Sequence, residues 1–201
     1  AAPDPHPRNR GAGFDLLEAA GIEVIRDGDQ AGARALNPGH EKTHTQGRPY
    51  VRLKLAATMD GFTGLPNGQS QWITSPAARL EVQRLRAQSS AIVTGANTVL
   101  SDDPELTVRD PRIDPLYSDL ILARPKPVYV LDSQSRTMAT AKVYGNPLAR
   151  QVCGLETLHA HPTALKTKLN PDGQIDLPLF FEALAGKGVL EVLVECGPTL
   201  A

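Results

Sequence analysis

Three short apolar runs constrain this chain most. Ala91-Ile92-Val93-Thr94, Val128-Tyr129-Val130-Leu131 and Leu190-Glu191-Val192-Leu193-Val194 are rich in β-branched residues and too short for helices. Such runs read as strands buried on both faces, the kind that fill a parallel sheet. Each gives way at once to glycine or polar residues: Gly95, then Asp132-Ser133, then Glu195-Cys196-Gly197-Pro198-Thr199. Helical segments stand between them. Ser75-Pro76 has the form of an N-cap followed by proline at N1, and predicts a helix to about Gln88 with Leu80 and Leu85 inward. Pro178 to Lys187 predicts another, with Leu179, Ala183 and Leu184 on one face and Gly188 closing it. Strands alternating with helices imply an α/β fold with a largely parallel sheet.

The remaining segments are weaker. Tyr50 to Ala56 alternates, with Val51, Leu53 and Leu55 on one face and Arg52, Lys54 and Ala56 on the other. Gln151 to Leu155, Leu106 to Val108 and Ile22 to Ile25 are further strand candidates. Phe14 to Ala20 predicts a short helix with Gly21 just beyond its end. Arg26 to Gly47 is polar and reads as a linker with at most one helical turn, near Ala33 to Asn37.

Composition sets limits on function. The 201 residues suit one domain, or one domain with an appendage. Lys plus Arg number 21 against 22 Asp plus Glu, so no basic excess suits duplex nucleic acid or an anionic membrane. No apolar run approaches the roughly 20 residues that span a bilayer. Ala1-Ala2-Pro3-Asp4-Pro5 lacks the basic and apolar regions of a signal peptide. Two distant cysteines, Cys153 and Cys196, supply neither a disulfide framework nor a structural zinc site. The expectation is a cytoplasmic domain.

Polar residues recur where strands end, which is where open α/β sheets bind ligands. Lys54 closes the first long strand. Thr94-Gly95 and Asn97-Thr98 follow the next, Asp132-Ser133 the third, and Glu195 to Thr199 the last. Gly197 allows close approach of backbone, and Thr199 offers a hydroxyl and an N–H to a phosphate; a plain turn accounts for Gly197-Pro198 equally. The single tryptophan, Trp72, lies in Ser70-Gln71-Trp72-Ile73-Thr74-Ser75, where a core anchor is its commoner role. Arg79, Arg84 and Arg86, each taken alone, belong to a solvated helix face. Asp102-Asp103-Pro104 reads either as paired acid/base carboxylates or, more ordinarily, as a turn or cap, with Arg109 near enough to pair or to hold an anion. His40 and His44 have i, i+4 spacing without a third ligand, and no metal site is expected. Neither Gly11-Ala12-Gly13 nor Gly186-Lys187-Gly188 completes a dinucleotide fingerprint. These residues define a ligand-binding α/β domain with phosphate-friendly strand ends, and no reaction.

A resemblance goes further. Arg48-Pro49-Tyr50-Val51 through Lys54, Asp60-Gly61, Gly68 to Thr74, Arg84-Leu85-Arg86, Gly95 to Val99 and Asp102 to Arg109 resemble, in order and spacing, the reductase half of the bacterial riboflavin-biosynthesis bifunctional deaminase/reductase. Asp132-Ser133 and Val194 to Leu200 continue the match. Asp4-Pro5-His6-Pro7, Gly11, Gly13 and Leu17 to Ile22 resemble the tail of that family's zinc deaminase domain. The resemblance implies a remnant of a cytidine-deaminase-like α/β domain over 1–30 and a linker over 31–47. A dihydrofolate-reductase-like domain, a mostly parallel sheet flanked by helices, would then occupy 48–201. The family continues beyond the position of Ala201, so the expectation is a C-terminally incomplete domain of low stability. No Cys precedes Cys153, so the deaminase zinc motifs and their zinc are expected only in a parent protein.

The resemblance further implies NADPH-dependent reduction of the ribosyl group of 5-amino-6-(5-phosphoribosylamino)uracil, a phosphorylated pyrimidine, by a homo-oligomer. Carried over by position, Ser70, Arg86, Leu106, Arg109 and Glu195 bind substrate, with Ser70, Arg86 and Arg109 clamping its phosphate. Ala56, Trp72, Thr98, Asp102, Ser133, Gly197, Pro198 and Thr199 fall on the cofactor. Lys54, Asp102 and Glu195 form the catalytic set: Lys54 polarises the substrate and Asp102 organises or protonates the ribose. His40 departs from the family, which carries large apolar residues there. Two other readings stand beside this one: a non-catalytic nucleotide-binding or assembly module of the same fold, and a reductase of another pterin-like or pyrimidine ring.

Overall fold

The computed structural model describes residues 2–26, 28–65, 73–197 and 199–201. The chain divides into two compact units, 1–50 with 181–190, and 51–180 with 191–201. No described helix is long and apolar enough to cross a membrane.

The second unit is built on the apolar runs. Strands β1 (Tyr50–Lys54), β2 (Ala91–Gly95), β3 (Val128–Leu131), β4 (Ala149–Gly154), β5 (Leu165–Thr167) and β6 (Glu191–Glu195) form one sheet in the order β1-β6-β2-β3-β4-β5. The pairings β6/β2, β2/β3, β3/β4 and β4/β5 are parallel. Ile92, Val93, Val128, Val130, Val192 and Leu193 are fully buried. A buried aliphatic side chain of this size stabilises by about 1.5–3 kcal/mol over its exposed state, which explains why these strands read as continuous apolar runs. Ile92, Val128 and Val130 form a core with Val99, Leu106, Val143 and Ala149. Tyr129 meets Phe180 edge-on, with ring centroids 5.8 Å apart.

Helix α4 (Pro76–Gln88) begins as its sequence predicts: the Ser75 side chain accepts from the Ala78 N–H, and Pro76 opens the first turn. Its inward face is different from the one expected. The buried residues are Gln83 and Arg86, while Leu80 and Leu85 are only half-buried, because this face meets polar groups of the cleft. In α7 (Leu177–Gly186) the buried pair is Phe180 and Leu184; Leu179 and Ala183 are exposed. β1 departs further. It is an edge strand, and Leu53 and Leu55, expected on the core face, are 54% and 41% exposed. No described element covers that face, whereas Lys54 and Ala56 are half-buried. The segment Leu106 to Val108 is irregular rather than a strand, since Leu106 takes a left-handed conformation, φ +53°. Helices α5 (Ala96–Asp102) and α6 (Ser118–Leu122) and strand β5 went unpredicted, each being short.

In the first unit, α1 (Ala12–Ala19) ends at Gly21, φ +77°, where the Gly21 and Ile22 N–H groups donate to the Glu18 and Leu17 carbonyls. That double closure is the reason glycine stands there. Ile22 to Ile25 is not a strand. The expected linker is helical: α2 (Gln30–Ala35) is capped by Asp29, and α3 (Pro38–Gln46) runs from a proline start to Gly47 at φ +69°. Tertiary contacts stabilise α3 beyond its polar sequence. His40 and His44 of α3 meet His6, with ring centroids 4.6 Å (His40–His44) and 4.4 Å (His6–His44) apart, and His40 Nε2 lies 2.9 Å from the Asp4 carboxylate. Among the described residues no group of metal-ligating side chains is arranged to hold an ion.

Burial, then repulsion from His6 and His40, pushes the His44 imidazole below its usual value, against the pull of Asp4. The Asn9 side chain, His40 and the His6 N–H hold the Asp4 carboxyl far below the usual carboxylate range. The native state therefore binds fewer protons at His44 than the unfolded chain does. The resulting stability is fully present above about pH 6.5 and is lost as pH falls through the lower native value. Thermal melts followed between roughly pH 5 and 7 are expected to show stability falling with acid, and His44→Gln to flatten that slope; a pH-independent wild-type melt contradicts it.

Candidate functional site

The parallel strands β6, β2 and β3 end at one edge of the sheet, and the residues just past those ends line a wide cleft. All eleven described residues selected from the sequence lie along it: Lys54, Ala56, Arg86, Thr98, Asp102, Leu106, Arg109, Ser133, Glu195, Gly197 and Thr199. Ser70, Trp72 and Pro198 lie outside the described residues.

Glu195, the last residue of β6, is 6% exposed, and Arg86 of α4 is 8% exposed. The Arg86 Nε and Nη2 donate to the two Glu195 oxygens at 2.5 and 2.9 Å, and Nη1 donates to the Thr107 carbonyl at 2.9 Å. This bidentate fork and the bond to Thr107 engage three of the five guanidinium N–H donors of Arg86 inside the protein. Arg86 holds the Glu195 carboxylate in place. Arg109 is the exposed member of the expected clamp, with only a loose 3.8 Å approach to Glu105. Its backbone N–H donates to the side chain of Gln83, one turn before Arg86 on the same buried helix face.

Lys54 ends β1 half-buried and makes no ion pair among the described residues. Asp102 ends α5 exposed to the cleft. Its neighbour Asp103 takes a different part: at φ +40° its carboxylate accepts the Lys142 N–H at 2.9 Å and faces the Lys142 ammonium at 3.4 Å. That N–H, and then the ammonium, hold the Asp103 carboxyl below its usual value. The two aspartates are thus one structural tie and one cleft-facing carboxylate rather than a matched pair. The Leu106 side chain belongs to the core, so only its backbone is offered to the cleft.

Beyond β3, Asp132 is buried and accepts from the Arg136 and Thr137 N–H groups, the Thr137 hydroxyl and the Gln151 amide at 2.7–3.0 Å. This network shapes the turn carrying Ser133 and Arg136. Burial, chiefly, raises the Cys196 thiol, which stays neutral beside Glu195. Sequence reasoning missed Gln83 and Arg136. The trace of Gln83 was its i, i+3 spacing to Arg86 on one face of the helix; nothing local singled out Arg136.

A mostly parallel sheet with a cleft at its carboxyl edge defines a dihydrofolate-reductase-like α/β domain, and comparison with known proteins agrees. A family model described as the RibD C-terminal domain matches residues 49–201. The riboflavin biosynthesis protein RibD of Escherichia coli is 40% identical over 208 residues, 98% of this chain and 56% of that protein. The structure is similar to that of Acinetobacter baumannii RibD, with a TM-score of 0.81 at 35% identity over 100% of this chain and 54% of that one. A Thermotoga maritima deaminase/5-amino-6-(5-phosphoribosylamino)uracil reductase is similar at 29% identity and TM-score 0.75, covering 96% of this chain and 51% of the other. The chain belongs to the RibD C-terminal domain family, a family of riboflavin biosynthesis proteins. It spans about half the length of the curated relatives it matches.

Removing one partner of the buried pair leaves the other charge without compensation. Arg86→Ala is therefore expected to lower stability by about 3–5 kcal/mol, and the double replacement Arg86→Met with Glu195→Leu by much less. Urea denaturation of the wild type and the two variants checks this; a double replacement that loses as much as Arg86→Ala or more counts against the pairing.

Proposed function

We propose that this chain reduces the ribosyl group of 5-amino-6-(5-phosphoribosylamino)uracil to a ribityl group with NADPH. The observation that carries the reading is the gathering of all eleven described candidate residues along one cleft. The Thermotoga neighbour, named as a reductase of that compound, supports the substrate class.

The cleft residues fit a dinucleotide. Thr98 and Ser133 present hydroxyls at the ends of β2 and β3, and Leu131 and Leu200 give an apolar side for a ring. Gly197 has open space where a side chain would stand, so backbone approach is unobstructed. When bound, the cofactor supplies a hydride to C1′ of the ring-opened, imine-like sugar. The chain positions that carbon and handles the protons. Glu195, fixed by Arg86, holds the substrate's polar edge, and its low exposure strengthens each hydrogen bond it makes. Lys54 faces the same space as a cation and polarises the sugar. Asp102 organises the ribose hydroxyls or passes a proton to nitrogen. Arg109, with Ser70, takes the sugar phosphate; an exposed guanidinium suits a dianion.

Turnover of NADPH with the phosphorylated pyrimidine tests the reading. Lys54→Met is expected to lower kcat by roughly 10²–10⁴ while cofactor binding persists. Arg109→Ala is expected to raise KM for the substrate about tenfold, a loss of ~1.4 kcal/mol. Cofactor binding without turnover of any pyrimidine would instead favour the non-catalytic module.

A further inference from the structure

One buried polar side chain at the cleft is only half used. Gln83 lies on the inward face of α4, one turn before Arg86, and is 9% exposed. Its Oε1 accepts the Arg109 N–H at 3.0 Å. A backbone N–H can only donate, so this bond settles which end of the amide is which: the oxygen meets Arg109, and the Nε2 amino group is directed elsewhere. Among the described residues that amino group donates to nothing, and it is not sealed inside the protein. Gln83 lines the cleft beside Arg86, Leu106 and Arg109. Buried polar groups normally have partners, so an amide this deep with two donors left over is placed to donate to what the cleft holds.

The surroundings give the sign of the ligand. The segment from Leu106 to Arg109 is pinned to α4 at two points, by Gln83 Oε1 at the Arg109 N–H and by Arg86 Nη1 at the Thr107 carbonyl. The N–H groups of Leu106 and Thr107 donate to no described group. The Arg109 guanidinium stands exposed, with Glu105 no nearer than 3.8 Å. The Glu195 carboxylate is already paired with Arg86. Amide donors beside an open guanidinium suit an acceptor with several oxygens and negative charge, which a phosphate monoester is and a single ring carbonyl is not.

We propose that Gln83 is a specificity-determining residue for the phosphorylated substrate: its Oε1 holds the backbone of Arg109, and its amino group donates to an oxygen of the sugar phosphate that the Arg109 guanidinium binds. The proposal rests on the reading of the cleft as the site of a phosphorylated substrate. The two parts of Gln83, brace and contact, are separable. A carboxylate at this position accepts the Arg109 N–H as the amide does, yet turns an oxygen rather than a donor toward the phosphate. Removal of Arg109's own side chain separates them in a second way, because a brace that acts only through that guanidinium has nothing left to position.

The test measures binding of ribose 5-phosphate and of NADPH to the full chain and its variants. Gln83→Glu is expected to weaken ribose 5-phosphate roughly ten- to hundredfold and to leave NADPH unchanged. Gln83→Met in an Arg109→Ala background is expected to weaken ribose 5-phosphate about fivefold or more beyond the loss from Arg109→Ala alone, and serves where Gln83→Glu does not fold. Unchanged ribose 5-phosphate affinity in Gln83→Glu, or no further loss in the Arg109→Ala background, leaves Gln83 a brace alone and overturns the contact. An equal loss of NADPH affinity overturns it too, since the damage is then general to the cleft. So does unchanged ribose 5-phosphate affinity with a raised KM for the whole pyrimidine substrate, which places the amino group at the ring. A wild-type chain that binds ribose 5-phosphate while the variants bind it equally well defeats the Gln83 proposal alone; a wild-type chain that binds NADPH but no ribose 5-phosphate defeats the substrate reading beneath it.

Discussion

A carboxylate and a guanidinium taken out of water together, Glu195 at the end of β6 and Arg86 on α4, tie the cleft to the sheet. Neither is tolerable in its position without the other, because a lone buried charge costs several kcal/mol. The two-pronged geometry also leaves the pair one relative orientation. The third arm of Arg86 reaches the Thr107 carbonyl, so the same guanidinium fixes the chain that leads from Leu106 to Arg109. A helix, a strand end and an irregular segment are thus held at one point, and the cleft-lining carboxylate of Glu195 has its orientation fixed by the protein itself.

A second anchor works by hydrogen bonds alone. Asp132 lies beneath the turn after β3 and gathers four donors, among them the side chain of Gln151 from the neighbouring strand β4. Buried polar groups that are fully satisfied make a turn rigid, whereas a partly satisfied network would be a weakness. Asp103 does similar service at the end of α5, where its tie to Lys142 leaves Asp102 turned to the cleft. In both places an aspartate is a brace, and the residue beside it in the turn lines the cleft.

The comparison of expectation with structure divides by range. The three apolar runs became β2, β3 and β6 nearly residue for residue, and Ser75-Pro76 and Gly21 became helix ends as their chemistry demands. Each of these is decided within a few residues, by burial of a run or by capping of unpaired backbone groups. The errors arose where a distant partner outweighed the local pattern. α4 turns Gln83 and Arg86 inward because their partners lie on Arg109 and Glu195, the latter 109 positions away. α3 forms from a polar stretch beside His6, and the apolar side of β1 lies outward at a sheet edge.

That the residues carried over by resemblance border one cleft follows from the logic of parallel sheets, which gathers strand ends at one edge. Their roles do not follow from it. Whether Arg86 has a carboxylate partner within the protein, and which of two adjacent aspartates braces the fold, depends on what stands opposite in space. Sequence alone determined the buried strands, the helix caps and the residues that border the cleft, because these follow from local hydrophobicity and backbone conformation. Only the tertiary structure decided which charges neutralise one another within the protein and which remain for a ligand, because electrostatic pairing depends on distance through space and not on separation along the chain.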